Sequence, residues 1–104
     1  MILYNITFNI EPEIKEEWLS WINREYVSYL METGSFLEIK IFHLLNETEN
    51  QGLTYSVQCF SDSLEKVNSY LEVFAPRIVE RHNQVFKYKH VSFMTILEEV
   101  DNNQ

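Results

Sequence analysis

Residues 2–10 alternate between apolar and polar: Ile2, Tyr4, Ile6, Phe8 and Ile10 fall on one side, Leu3, Asn5, Thr7 and Asn9 on the other. A period of two marks a strand with one buried face. Glu11-Pro12-Glu13 breaks it. Proline has no N–H to lose in a helix's first turn, and carboxylates there meet the positive end of the dipole, so a helix begins near residue 12. Turning each residue by about 100° puts Ile14, Trp18, Trp21, Ile22 and Tyr29 on one stripe, widened by Leu19, Tyr26 and Leu30. The pattern runs to about Glu32 and stops at Gly34, a residue suited to a C-terminal cap.

Residues 36–44 are rich in β-branched and aromatic side chains and predict a second strand, with residues 46–52 as a polar turn behind it. Leu53, Tyr55, Val57 and Cys59 then alternate against Thr54, Ser56 and Gln58 in a third strand that ends at Ser61-Asp62-Ser63. Asp62 with Glu65 three residues on has the spacing of a capping box for a second helix. Its stripe is Leu64, Val67, Leu71, Phe74, Ile78 and Val85, and Pro76 in its interior should kink or split it. A last strand covers about residues 88–97.

The order strand, helix, strand, strand, helix, strand is that of the split βαβ arrangement called ferredoxin-like. Right-handed crossovers make the first and third strands central neighbours in a four-stranded antiparallel sheet, with both helices on one face. The expected class is α+β, a βαββαβ sandwich forming one domain over residues 1–100, followed by a polar tail at 101–104. A length of 104 residues suits one core, and 45% hydrophobic residues with few glycines and prolines exclude intrinsic disorder.

The second face of the central strands carries Leu3, Asn5, Thr7 and Asn9 beside Thr54, Ser56, Gln58 and Phe60, with no charge. Open sheet faces usually carry Lys and Glu. Amides and hydroxyls in their place fit a surface that is covered yet polar, by a second subunit or around a ligand. They fit equally a plain solvated sheet. The layout resembles the dimeric α/β barrels, in which two ferredoxin-like subunits pack open sheet faces around a pocket. That resemblance implies a homodimer, with Asn5, Thr7, Asn9, Ser56 and Gln58 as the ligand or interface face.

Ile2-Leu3-Tyr4-Asn5-Ile6-Thr7, Glu17-Trp18-Leu19-Ser20-Trp21-Ile22, Thr33-Gly34-Ser35-Phe36, Thr54-Tyr55-Ser56-Val57-Gln58 and Ala75-Pro76-Arg77 together resemble a bacterial family catalogued as domain of unknown function 4286. The resemblance covers nearly the whole chain and brings no established activity. The family's first helix often ends in Glu-His-Ile-Pro, where this chain has Glu25-Tyr26-Val27-Ser28. Tyr26 cannot stand in for a histidine base near neutral pH.

Sixteen acids against eight Lys and Arg leave a net charge of −8, which repels phosphate backbones and anionic lipid. Nucleic acid and membrane surfaces are thus not expected partners. With no apolar run near the ~20 residues of a spanning helix, no signal-peptide layout and one cysteine, the expectation is a cytoplasmic protein. No cofactor motif is present: Gly34 and Gly52 make no phosphate loop, and His43, His82 and His90 lie at no metal-ligand spacing.

His82 falls on the apolar stripe of the second helix, either as a base or as a hydrogen-bonded core histidine. Glu25 sits between Trp21, Ile22 and Tyr29 and is either buried with a raised pKa or at the stripe's wet edge. Arg77 and Arg81, with Lys87 and Lys89, form a basic stretch able to hold an anion, or to complement a helix C-terminus and the acidic first helix. Cys59 points inward and should be inert. The reading is a dimeric binding or accessory module, with a small-molecule ligand as an open alternative among its partners. Its rivals are a cofactor-free dimeric barrel enzyme, of monooxygenase or isomerase type with His82 or His43 as base, and a monomeric protein-interaction domain.

Overall fold

The computed structural model describes residues 1–46 and 51–102. Strand β1, Ile2–Ile10, occupies a central position in one antiparallel sheet of order β2-β3-β1-β4, beside β3, Leu53–Ser61. The edges are β2, Glu38–His43, and β4, His90–Glu98. Burial in β1 alternates without a break, and its inner residues Ile2, Tyr4, Ile6, Phe8 and Ile10 face the helices. The fold is thus α+β and ferredoxin-like, as its periodicities predict. Residues 47–50 of the predicted turn and 103–104 of the tail lie outside the described residues.

The first helical segment departs from a uniform rotation. A single 3₁₀ turn at Pro12–Ile14 leads into α1, Lys15–Trp21, then a π-helical turn at Ile22–Tyr26, then α2, Val27–Glu32. The i→i+5 bonding of a π turn inserts an extra residue per turn and shifts every later side chain backwards around the axis. Trp18, Ile22, Tyr26 and Leu30 are therefore the buried line, while Tyr29 is only half-buried. Gly34 ends the segment with φ 75°, its N–H donating to the Met31 carbonyl at 3.1 Å.

The second segment is split as Pro76 requires, into α3, Leu64–Val73, and α4, Ala75–Val85, joined at Phe74. The break resets the rotation. Leu64, Phe74 and Val85, expected inside, are exposed, and Tyr70, Ala75 and Phe86 are buried instead. The cap of α3 is Ser63, whose hydroxyl accepts from the Lys66 N–H at 3.1 Å; Asp62 pairs with the Lys66 ammonium rather than opening a capping box. An extended backbone at Ser63 suits it to that role.

The helices cover β1 and β3 but leave β4 open on their side, where Met94 and Ile96 stay substantially exposed. Their register partners across β1 are Ile6 and Tyr4.

Candidate functional site

Two surfaces hold the candidate residues, one on each side of the sheet. On the outer side, register pairs Asn5 with Gln58 and Thr95, and Thr7 with Ser56 and Phe93. These side chains satisfy one another. The Asn5 amide donates to Thr7 Oγ1 at 3.1 Å and Thr95 Oγ1 at 3.4 Å, Ser56 donates to Asn5 Oδ1, and Gln58 donates to Ser56 Oγ at 3.4 Å. Asn9 donates to Thr54 Oγ1 at 3.0 Å and to the Gln51 carbonyl at 2.8 Å. No outer-face residue of β1, β3 or β4 carries a charge; the edge strand β2 adds Glu38 and Lys40, which pair at 3.8 Å, the ammonium lying over the Phe60 ring, and exposed apolar side chains border the network: Phe42 is 50% exposed, Phe93 63% and Leu97 50%.

On the helix side, His82 of α4 is buried to 2% exposure. Its Nε2 accepts the Trp18 indole N–H at 2.9 Å. An indole can only donate, so Nε2 carries the lone pair and the proton of the neutral ring sits on Nδ1. Burial, with the neighbouring His90 second, pushes the His82 pKa down to about 3. The ring packs between Phe8 at 4.7 Å and His90 at 4.3 Å, the latter edge-on.

A cavity of about 190 Å³ opens beside it, floored by Tyr4, Phe8 and Met94 and roofed by Tyr26, Val79 and His82. The π turn brings Tyr26 to this roof. A uniform helix would have put Glu25 closer to the core stripe; here Glu25 is only half-buried and does not line the cavity. Burial holds the Tyr26 hydroxyl well above its ordinary pKa, so it stays a neutral phenol.

The remaining candidates lie apart from both surfaces' centres. His43, on the edge strand β2, stacks on the Tyr55 ring at 4.6 Å and does not line the cavity. His82 has spent its lone pair on Trp18 and has none for a substrate proton. Sequence spacing gave no sign that His82 and His90 would meet, and among the described residues no three metal-ligating side chains converge. Arg77 and Arg81 share a shallow groove with Tyr29 and Glu32. The break at Phe74 places Arg77 in the first turn of α4, where a helix dipole disfavours cations, so a C-terminal dipole role is corrected for that residue. Lys89 does reach the acidic first segment, pairing with Glu13 at 2.7 Å and Glu11 at 3.4 Å.

A family model described as Domain of unknown function (DUF4286) matches residues 1–100. The chain belongs to this family. No curated protein matches the DUF4286 chain in sequence. Among solved structures it is similar to an ethyl tert-butyl ether d (ethd) family protein from Bacillus halodurans, with TM-score 0.67, 14% identity, 96% of this chain and 100% of that one covered. It is also similar to a cofactor-independent oxygenase from Streptomyces nogalater, with TM-score 0.62, 10% identity and coverage of 98% and 95%. A hydroxynitrile lyase from Passiflora edulis matches with TM-score 0.61, 19% identity and 96% of each chain covered. These likenesses establish the fold; an oxygenase and a lyase sharing it show how little it fixes the reaction. No helix of the described chain is long and apolar enough to cross a membrane.

Proposed function

We propose that this DUF4286 chain is a homodimeric, cytoplasmic binding module for a small organic molecule, residues 1–100 acting as one domain. The outer sheet face carries the reading. In a chain with net charge −8, the outer faces of β1, β3 and β4 are free of acids and bases, their polar groups are paired with one another, and Phe42, Phe93 and Leu97 stand exposed around them. A satisfied polar centre costs little to desolvate, and the apolar border gains by burial. Two copies meeting here bring no like charges together across these three strands, and on β2 Glu38 and Lys40 neutralise each other. A small-molecule role is supported by the helix-side cavity and by neighbours of the same fold that are named as an oxygenase and a lyase.

Ser56→Glu tests the face directly, since each dimer would bury two carboxylates against one another. The expected result is a monomer with unchanged far-ultraviolet dichroism. A Ser56→Glu chain that assembles like the parent would overturn the assignment of this face.

A further inference from the structure

We propose that the cavity between β1, β4 and the helical layer binds an uncharged, flat, mainly apolar molecule that offers a hydrogen-bond acceptor to the polar end formed by His82 and Asn83. The inference rests on the reading of the chain as a small-molecule module and adds the site and the ligand class. The ligand lies on the helix side of the sheet, not on the outer face with Asn5 and Ser56.

Size comes first. An apolar cavity of about 150 Å³ holds a benzene ring. At about 190 Å³ this one takes one ring or two fused rings. Phe8, Tyr4 and Tyr26 give it aromatic walls, which favour a flat partner, and the Met94 thioether adapts to a ring edge.

Charge is excluded by what lines the space. No Lys, Arg, Asp or Glu does so, and both titratable roof groups, His82 and Tyr26, are neutral at physiological pH. A carboxylate or ammonium entering would lose its water and find no counter-charge.

The acceptor requirement follows from the tautomer. With Nε2 fixed by the Trp18 N–H, the proton of His82 sits on Nδ1; the Asn83 side chain hydrogen-bonds this histidine and lines the same cavity, so the ring and the amide form one polar end. A carbonyl or ether oxygen suits the donors; a pure hydrocarbon leaves them idle.

The test is an NMR titration of the full chain, ¹³C-labelled at the Met methyls, with 1-tetralone, tetralin and 2-naphthoate, on samples whose solution mass is measured alongside. 1-Tetralone should shift the Met94 methyl and the Trp18 indole N–H saturably. Tetralin, which lacks the carbonyl, should bind about three- to tenfold more weakly, and 2-naphthoate should give no saturable shift. Met94→Trp, which fills the cavity from a partly exposed position, should abolish the tetralone response with dichroism unchanged. Absence of a Met94 shift with 1-tetralone, equal binding of tetralin, or binding of 2-naphthoate would overturn the assignment. A dimer that ignores 1-tetralone sinks the cavity and leaves the dimer standing; a monomer that binds it at Met94 does the reverse.

Discussion

The Trp18 indole N–H donates to His82 Nε2 across 2.9 Å, joining α1 to α4 inside the core. This one bond sets the tautomer of the histidine and removes its basic lone pair, turning a sequence candidate for base catalysis into a donor. It also makes His82 structural. His82→Ala would leave the indole N–H unpaired and open a void among Phe8, Trp21 and Phe86, so a loss of about 2–4 kcal/mol is expected in urea unfolding. His82→Gln, which keeps an acceptor, should recover part of that loss. Equal stability of the parent and His82→Ala would contradict the buried bond.

Acid should destabilise the fold through the same residue. His82 is held near pKa 3 by burial and by His90, while in the unfolded chain it titrates near 6.5. Between those values the unfolded state binds a proton that the folded state refuses, so stability is complete above about pH 6.5 and falls steadily below it. His90, lowered by burial, acts in the same direction. Urea midpoints at pH 7.5 and 5.5 should therefore differ for the parent chain and differ less for His82→Gln. Parallel pH dependence in the two proteins would mean that His82 is not the group whose protonation unfolds the chain.

The two glycines predict an ordered pair of effects. Both have positive φ, 75° at Gly34 and 80° at Gly52. A Cβ at Gly34 meets nothing within 4 Å, whereas at Gly52 it would lie 2.6 Å from Asn9 Oδ1 and 2.9 Å from the Ile10 carbonyl. Gly34→Ala should cost about 1 kcal/mol from backbone strain alone, and Gly52→Ala about 2 kcal/mol or more. Thermal midpoints in the reverse order would contradict the tight approach of the Gly52 backbone to β1.

Cys59 should be silent until the protein unfolds. It is fully buried on the inner face of β3, and burial pushes its thiol up to about 12. A chromogenic disulfide reagent at pH 8 is expected to react only after guanidinium is added. Rapid labelling of the native protein would mean that β3 opens or that its register is different.

The sheet was readable because alternation in β1 and β3 is uninterrupted, and one strand's inner face fixes its neighbour's. The helices were less so. A fixed rotation per residue has no means of showing the π turn at Ile22–Tyr26, which leaves Tyr29 half-buried and spares Glu25, or the restart after Phe74, which exchanges Val85 for Phe86. Residues of β4 are apolar on both sides, Phe93 and Leu97 outward and Met94 and Ile96 inward, so no face stands out. The cavity depends on that edge and on His82 meeting residues far away in the chain. Local pattern shows which residues are available for such contacts, and only the packed sheet shows which of them meet.

Two chains closing over the outer face of the sheet double the mass of a single chain, 12.5 kDa, a change that light scattering of the parent chain across a dilution series reads without a label. A mass near twice that value is expected, holding on dilution and collapsing to one chain for Ser56→Glu. A single-chain mass at every concentration would contradict it and leave Asn5, Thr7, Asn9, Ser56 and Gln58 facing water.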